Sequence, residues 1–236
     1  MGPADFDSFL LTEQKRIKVL FFDIDGTLAE TDDYFSVRLH KVVNPFLFFL
    51  DKKTTYRIAH KLTMIGQTLV DLIYWLLDIL GFDQAFTNIT EHLSRREDEY
   101  QYMLVAHADK IIESLSKHFR LGIITAGGEQ TAAAFIKKHH LESFFEVIVS
   151  AQTTSRTKPS PMPLIYASDQ MQVSPNECLM VGDTVFDLKT AQRAGAEFVG
   201  VRTGFDHDWL LKLFGAKQIL DSVRDLPAFL GITPSQ

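Results

Sequence analysis

Val19-Leu20-Phe21-Phe22-Asp23-Ile24-Asp25-Gly26-Thr27-Leu28 begins with four apolar residues in a row and runs into two carboxylates separated by one residue. An apolar run without period-2 alternation suits a strand covered on both faces, the pattern of a parallel sheet flanked by helices. Asp23 then falls at the strand's carboxyl end, where ligands bind in open α/β sheets. Asp-Gly-Thr is also ordinary loop punctuation, and Asp25 alone would serve as a cap for the segment that follows. What the other strand ends carry decides between a site and a turn.

Beyond residue 108 the same kind of apolar run recurs at Leu121–Ile124, Val147–Val149, Leu179–Val181 and Phe198–Val201. A helical segment is predicted at 109–117 ahead of them and others at 129–139, 161–171 and 186–194 between them, and this alternation points to a parallel α/β sheet. Residues 5–15 read as a short leading helix or arm, and 17–22 as the first strand. From Ala29 to Ala108 there is almost no strand signal: Gly66 and Gly81 are the glycines, Pro45 the proline, and the rest reads as helices. The clearest helix, 62–80, repeats Leu62, Ile65, Leu69, Leu72, Leu76 and Ile79 at spacings of three and four, with Val70, Ile73, Leu77 and Leu80 beside them. Its length approaches that of a membrane span. Asp71 and Asp78 on one face would be expensive in hydrocarbon, so an amphipathic bundle helix is the better reading. Its wide apolar face offers a dimerisation surface. The expected organisation is an α/β core built from residues 1–29 and 109–236, with a smaller all-helical domain, 30–108, inserted after the first strand.

The 236 residues, 46% apolar and 23% charged, are ample for one large core and a second, smaller domain. A net charge of -6 and a pI near 5.7 give no general attraction to nucleic acid or anionic lipid, so an anionic ligand would have to meet local positive charge. The single cysteine, Cys178, rules out an intrachain disulfide and a thiolate metal cluster, and its setting in Cys178-Leu179-Met180-Val181 marks it as a small buried hydrophobe. Met1–Phe6 lacks the basic region and apolar core of a signal peptide. The expectation is a cytoplasmic protein, monomer or homodimer, with neither nucleic acid nor membrane as partner.

Three later strand ends also carry reactive-looking residues. Ile123-Ile124 meets Thr125-Ala126-Gly127-Gly128, a hydroxyl and a small-residue turn able to aim backbone N–H groups at an anion, although a glycine-rich connection without a ligand would look the same. Lys158 sits among Pro159, Pro161 and Pro163, a rigid setting for a residue type that is usually solvated. Leu179-Met180-Val181 runs into Gly182-Asp183-Thr184-Val185-Phe186-Asp187, ahead of a helix stopped by Gly195. Helix capping would explain Asp183 or Asp187 separately. It does not explain why two apolar strands both end in paired acids. His107, His139 and His140 have no partner spacing that makes them catalytic candidates.

Taken together, Asp23-Ile24-Asp25-Gly26-Thr27-Leu28, Thr125, Lys158-Pro159 and Gly182–Asp187 resemble, in order and separation, the four motifs of the haloacid dehalogenase-like (HAD) hydrolase superfamily. The resemblance covers 17–29 and 110–230, and the insertion looks like the helical cap of phosphoglycolate phosphatase-like members. It implies a Rossmann-like core and a Mg²⁺-dependent phosphatase acting on a small phosphorylated metabolite through an aspartyl-phosphate. By the resemblance, Asp23, the Asp25 backbone carbonyl and Asp183 hold Mg²⁺, and Asp187 supports the metal shell. Thr125, a backbone N–H near Ala126 and Lys158 bind the phosphoryl oxygens. Ala126 departs from the Asn or Ser of many relatives and supplies no side-chain donor. Four acids against one lysine call for a cation, and oxygen-only ligands select a hard one. Asp23 is then the nucleophile and Asp25 the general acid and base. Dehalogenase members attack carbon without an acid at position 25, so Asp25 favours phosphoryl transfer. A phosphomutase of the beta-phosphoglucomutase type and a non-catalytic scaffold that binds phosphate ligands stay open as alternatives. Asp32, Asp33, Tyr34 and Arg57 in the insertion are candidate substrate selectors, and surface solvation is their other reading.

Overall fold

A strand that is apolar at every position needs cover on both faces, and β1 has it. The computed structural model describes residues 17–30 and 103–232. In chain order its strands are β1 (Val19–Phe22), β2 (Ala29–Glu30), β3 (Met103–Leu104), β4 (Arg120–Ile124), β5 (Phe145–Val149), β6 (Cys178–Gly182), β7 (Glu197–Val201) and β8 (Ile219–Leu220). Its helices are α1 (Ala108–Ser116), α2 (Glu129–Lys138), α3 (Met162–Gln170), α4 (Val185–Ala194), α5 (Asp208–Leu213) and α6 (Leu226–Phe229). Six strands form one wholly parallel sheet in the order β5-β4-β1-β6-β7-β8.

Leu20 and Phe22 pack on one side of the sheet with Ile112 and Leu115 of α1, Phe135 and Ile136 of α2, and Leu226. Val19 and Phe21 pack on the other with Leu164 of α3, Leu188 of α4 and Leu211 of α5. Gly122 on β4 leaves the space that the Phe21 ring occupies: a Cβ there would stand 2.7 Å from Phe21 Cε1. The result is three layers, helices over and under a parallel sheet, as the unbroken apolar runs predict.

From β1 the chain builds outward through β4 and β5, then returns to the other side of β1 for β6, β7 and β8. The order therefore reverses about β1, and the crevice at such a reversal is where α/β sheets place ligands. Register aligns the motifs. Phe22 is level with Ile123 and Val181, so Asp23 comes level with Ile124 and Gly182, one residue short of Thr125 and Asp183.

The structure adds elements that the pattern did not indicate. β2 and β3 pair antiparallel at the two ends of the insertion, in a region with almost no strand signal, and Val105 N donates to Leu28 O at 2.8 Å beside them. Two-residue strands are too short to show a period, and so are β8 and the four-residue α6. The expected helix 62–80, the leading arm 5–15 and the proposed selectors Asp32, Asp33, Tyr34 and Arg57 lie outside the described residues. Among the described residues, no helix is long and apolar enough to cross a membrane.

Candidate active site

The turn after β1 is built by the backbone. Ile24 O accepts from Leu28 N at 2.9 Å and from Ala29 N at 2.8 Å, while Gly26, at φ +75°, donates its N–H to Ala29 O at 3.0 Å. A left-handed residue is needed there, and glycine adopts that conformation without steric cost. The turn leaves Asp23 at the sheet edge, 5% exposed, with its N–H donating to Val181 O of β6 at 3.0 Å.

Lys158 comes to this edge from the loop after β5. Its Nζ donates to Asp23 Oδ1 at 2.8 Å and to Asp187 Oδ1 at 2.6 Å, and all three side chains are buried. Asp187 also closes the capping box of α4: its Oδ2 accepts from Thr184 N at 3.1 Å and from Thr184 Oγ1 at 2.7 Å. Helix cap and lysine anchor are therefore two uses of one carboxylate. The Lys158 loop is held from behind by Arg193 of α4, whose Nη1 donates to Pro159 O at 2.8 Å.

Asp183 is fully buried. Its Oδ1 accepts from Thr27 Oγ1 at 3.1 Å and its Oδ2 from Phe205 N at 2.9 Å. Glycines make room for it: a Cβ on Gly26 would stand 2.4 Å, and one on Gly204 1.8 Å, from Asp183 Oδ2.

Asp23, Asp183 and Asp187 each present a carboxylate oxygen within 4.8 Å of the others. Burial raises the Asp23 carboxyl from its ordinary 3.8 to about 7, with Lys158 opposing and Asp187 and Asp25 adding to the rise. Asp183 is raised well above the usual carboxylate range by burial and by Asp187 and Asp23. Burial works against the charge of Lys158, yet Asp187 and Asp23 outweigh it and hold the ammonium above its ordinary range. One ammonium does not offset this many acids, so the site suits a cation. Its donors are all carboxylate oxygens, the ligand type that suits a hard divalent ion.

Asp25 is half-buried, its carboxyl raised to about 6 by burial, against Lys158 and with Asp187. Its Oδ2 would lie 3.7 Å from a Cβ on Gly127, so it faces the turn after β4. In that turn Thr125 is buried, donating its N–H to Val149 O at 2.9 Å and accepting from Gly127 N on Oγ1 at 3.0 Å. Ala126 is exposed, and Gly128 caps α2 without a side chain.

The strand ends thus bring together Asp23, Asp25, Thr125, Lys158, Asp183 and Asp187. They also recruit a loop that sequence reasoning passed over, 203–206 after β7. Thr203 Oγ1 donates to Gly26 O at 2.7 Å, Phe205 N to Asp183 Oδ2, and Val185 N donates to Asp206 Oδ2 at 2.6 Å. The available signal is the apolar run Phe198–Val201, whose carboxyl end, as a parallel strand of the same sheet, reaches the same edge. Other candidates lie elsewhere. His139 and His140 follow the end of α2 remote from the turn, His107 caps α1, and Cys178 opens β6 at the opposite edge, its thiol pushed up to about 12 by burial and Glu177.

A family model described as haloacid dehalogenase-like hydrolase matches residues 20–201. The pyrophosphatase PpaX of Bacillus mycoides (strain KBAB4) is 27% identical over 213 residues, covering 89% of this chain and 95% of that protein. Among solved structures, a hydrolase from Pseudomonas syringae is similar at 25% identity and a TM-score of 0.61, covering 91% of this chain and 98% of its own. A HAD phosphatase from Thermococcus onnurineus shares the fold at 20% identity and a TM-score of 0.58, with coverage of 91% and 98%.

Proposed function

This chain belongs to the haloacid dehalogenase-like hydrolase family, and from that premise we propose that it is a Mg²⁺-dependent phosphatase hydrolysing a small phosphorylated metabolite through an aspartyl-phosphate. The observation that carries this reading is the Lys158 amine bridging Asp23 and Asp187 beside buried Asp183, with Asp25 two residues from Asp23. The PpaX relative, named a pyrophosphatase, lends support for phosphate chemistry.

In the proposed reaction Lys158 orients the Asp23 carboxylate by holding Oδ1. A carboxylate oxygen of Asp23 forms a bond to phosphorus as the ester P–O bond breaks, and Asp25 gives its proton to the departing oxygen. Asp25 next takes a proton from water, whose oxygen attacks phosphorus and releases inorganic phosphate and the Asp23 carboxylate. A carboxyl raised to about 6 suits a group that must give and take a proton near neutrality. Thr125, the Ala126 N–H and Lys158 hold the phosphoryl oxygens. Asp23, Asp183 and the Asp25 carbonyl, with Asp187 in support, would hold Mg²⁺, which when bound would supply the positive charge that lets a carboxylate approach a phosphate dianion.

Residues 30–108 are proposed as a helical cap that covers this edge and selects the substrate through Asp32, Asp33, Tyr34 or Arg57. The alignment with the PpaX relative covers 89% of this chain and so runs through most of that insertion, which supports an insertion shared with that relative. One buried thiol suits a reducing compartment such as the cytoplasm.

The test is phosphate release from p-nitrophenyl phosphate, inorganic pyrophosphate and a panel of phosphorylated metabolites, with and without EDTA, by wild type and Asp23→Asn. Turnover that EDTA and Asp23→Asn each abolish is expected. Full activity in either case would overturn the mechanism. An isomeric phosphate ester as product would identify a phosphomutase, and metal binding without turnover a scaffold.

A further inference from the structure

The acids at this edge are placed by the short segment Gly182–Asp187, which is anchored to the sheet at one end through β6 and passes into α4 at the other. Both ends matter. Asp183 stands next to the strand, whereas Asp187 lies in the first turn of α4 and carries the Lys158 contact. If the start of α4 shifts, Asp187 shifts relative to Asp183, and Lys158, which Asp23 and Asp187 share, loses one of its two carboxylate partners.

Local capping ties Thr184 to Asp187, but both belong to the segment itself, so their bonds do not locate it against the rest of the core. Beside the contacts that Asp183 makes with Thr27 and Phe205 and that Asp187 makes with Lys158, a backbone tie at the start of α4 reaches across 21 residues: Val185 N donates to Asp206 Oδ2 at 2.6 Å. Val185 is the first residue of α4, and its N–H has no partner within the helix. Asp206 is half-buried, and its loop is fixed in turn by Thr203 on Gly26 O and Phe205 N on Asp183 Oδ2. One loop therefore grips the turn after β1, the Asp183 carboxylate and the start of α4.

We propose that Asp206 is a positioning residue that fixes Asp187 and Asp183 at their working separation by accepting the Val185 N–H, and so sets the affinity of the carboxylate cluster for a divalent cation. This rests on the metal-dependent reading above. The acceptor oxygen is what matters. A carboxylate makes a shorter, stronger bond at a helix N-terminus than a neutral acceptor, and an amide oxygen keeps the geometry. Asp206 touches neither substrate nor reacting atoms in this account.

The test titrates Mn²⁺ into the full chain, following free Mn²⁺ by electron paramagnetic resonance, for wild type, Asp206→Ala, Asp206→Asn and Val185→Pro. Proline is tolerated at the first helical position and removes the donor, so V185P reports on the same bond if D206A fails to fold. Expected is Mn²⁺ binding weakened about tenfold in D206A and V185P, with kcat on p-nitrophenyl phosphate lowered about tenfold and KM held within about twofold, and D206N within about twofold of wild type throughout. Wild-type affinity in D206A or V185P would overturn the proposal, and so would a D206N as weak as D206A. A wild type that neither binds Mn²⁺ nor releases phosphate would overturn the phosphatase reading itself. A wild type that does both beside an indistinguishable D206A would refute Asp206 alone.

Discussion

At Gly204 a missing side chain is the functional feature. Its Cβ would fall 1.8 Å from Asp183 Oδ2, a separation that no rotamer of a fully buried aspartate relieves while it keeps its bonds to Thr27 and Phe205. Gly204→Ala is therefore expected to displace Asp183, abolish metal-dependent turnover and lower Tm by several degrees. Gly231 is the contrast: among the described residues, no atom beyond its chain neighbours lies within 4 Å of its would-be Cβ, and φ is +72°. Gly231→Ala should cost about 1 kcal/mol from the left-handed backbone alone and leave turnover unchanged. Equal loss of activity in both variants, by phosphate release and thermal melts, would show that Gly204 has no special relation to the site. Asp187 makes a related point. Its position three residues after Thr184 suits a capping box, and the same carboxylate holds Lys158 through its other oxygen. The sequence offers capping and a place among the paired acids as two readings of this residue, and the structure gives it the contacts of each.

At the scale of the element, β1 carries the site because it is the strand about which the sheet reverses. Its packing is continuous with the position of Asp23: Phe21 is fully buried, two residues away, with its ring lying over Gly122. Phe21→Ala should destabilise the chain by about 3–5 kcal/mol, the range for emptying an aromatic site in a core, measured as a shift in the urea midpoint. A loss under about 1 kcal/mol would mean that the ring is not packed as described. The apolar pattern revealed β1, β4, β5, β6 and β7 to within a residue or two at each end. It missed β2 and β3, because their pairing is decided by where the insertion leaves and rejoins the core and not by any period within two residues.

For the whole molecule, the carboxylate cluster links stability to pH and to metal. Asp23 is raised to about 7 and Asp25 to about 6, and Asp183 is raised as well, whereas the unfolded carboxyls ionise near 3.8. Between about pH 4 and 7 the folded state then binds more protons than the unfolded state, so stability falls as pH rises through that window. The metal-free chain is expected to melt at a lower temperature at pH 8 than at pH 5, by a free energy on the order of a few kcal/mol. A divalent cation competes with those protons, so added Mg²⁺ should raise Tm more at pH 8 than at pH 5. Melting curves independent of pH and of Mg²⁺ would show that the acids are not forced together as described.

Residue order determined a great deal. Four consecutive apolar residues suit a strand covered on both sides, and acids directly after such strands emerge at the sheet's carboxyl edge. Those two facts bring Asp23, Asp25, Asp183 and Asp187 to one edge, where Thr125 follows β4 and Lys158 arrives on the loop after β5. Tertiary structure alone decided which of them touch. Lys158 finds Asp23 across 135 residues and Asp187 across 29 because β1 and β6 are neighbours in the sheet. It also decided the part played by 203–206, which works through the Phe205 N–H, the bare Cα of Gly204 and one acceptor on Asp206. Backbone donors and the absence of a side chain leave no pattern in a sequence, since every residue but proline carries the same N–H and only position in space gives it a partner.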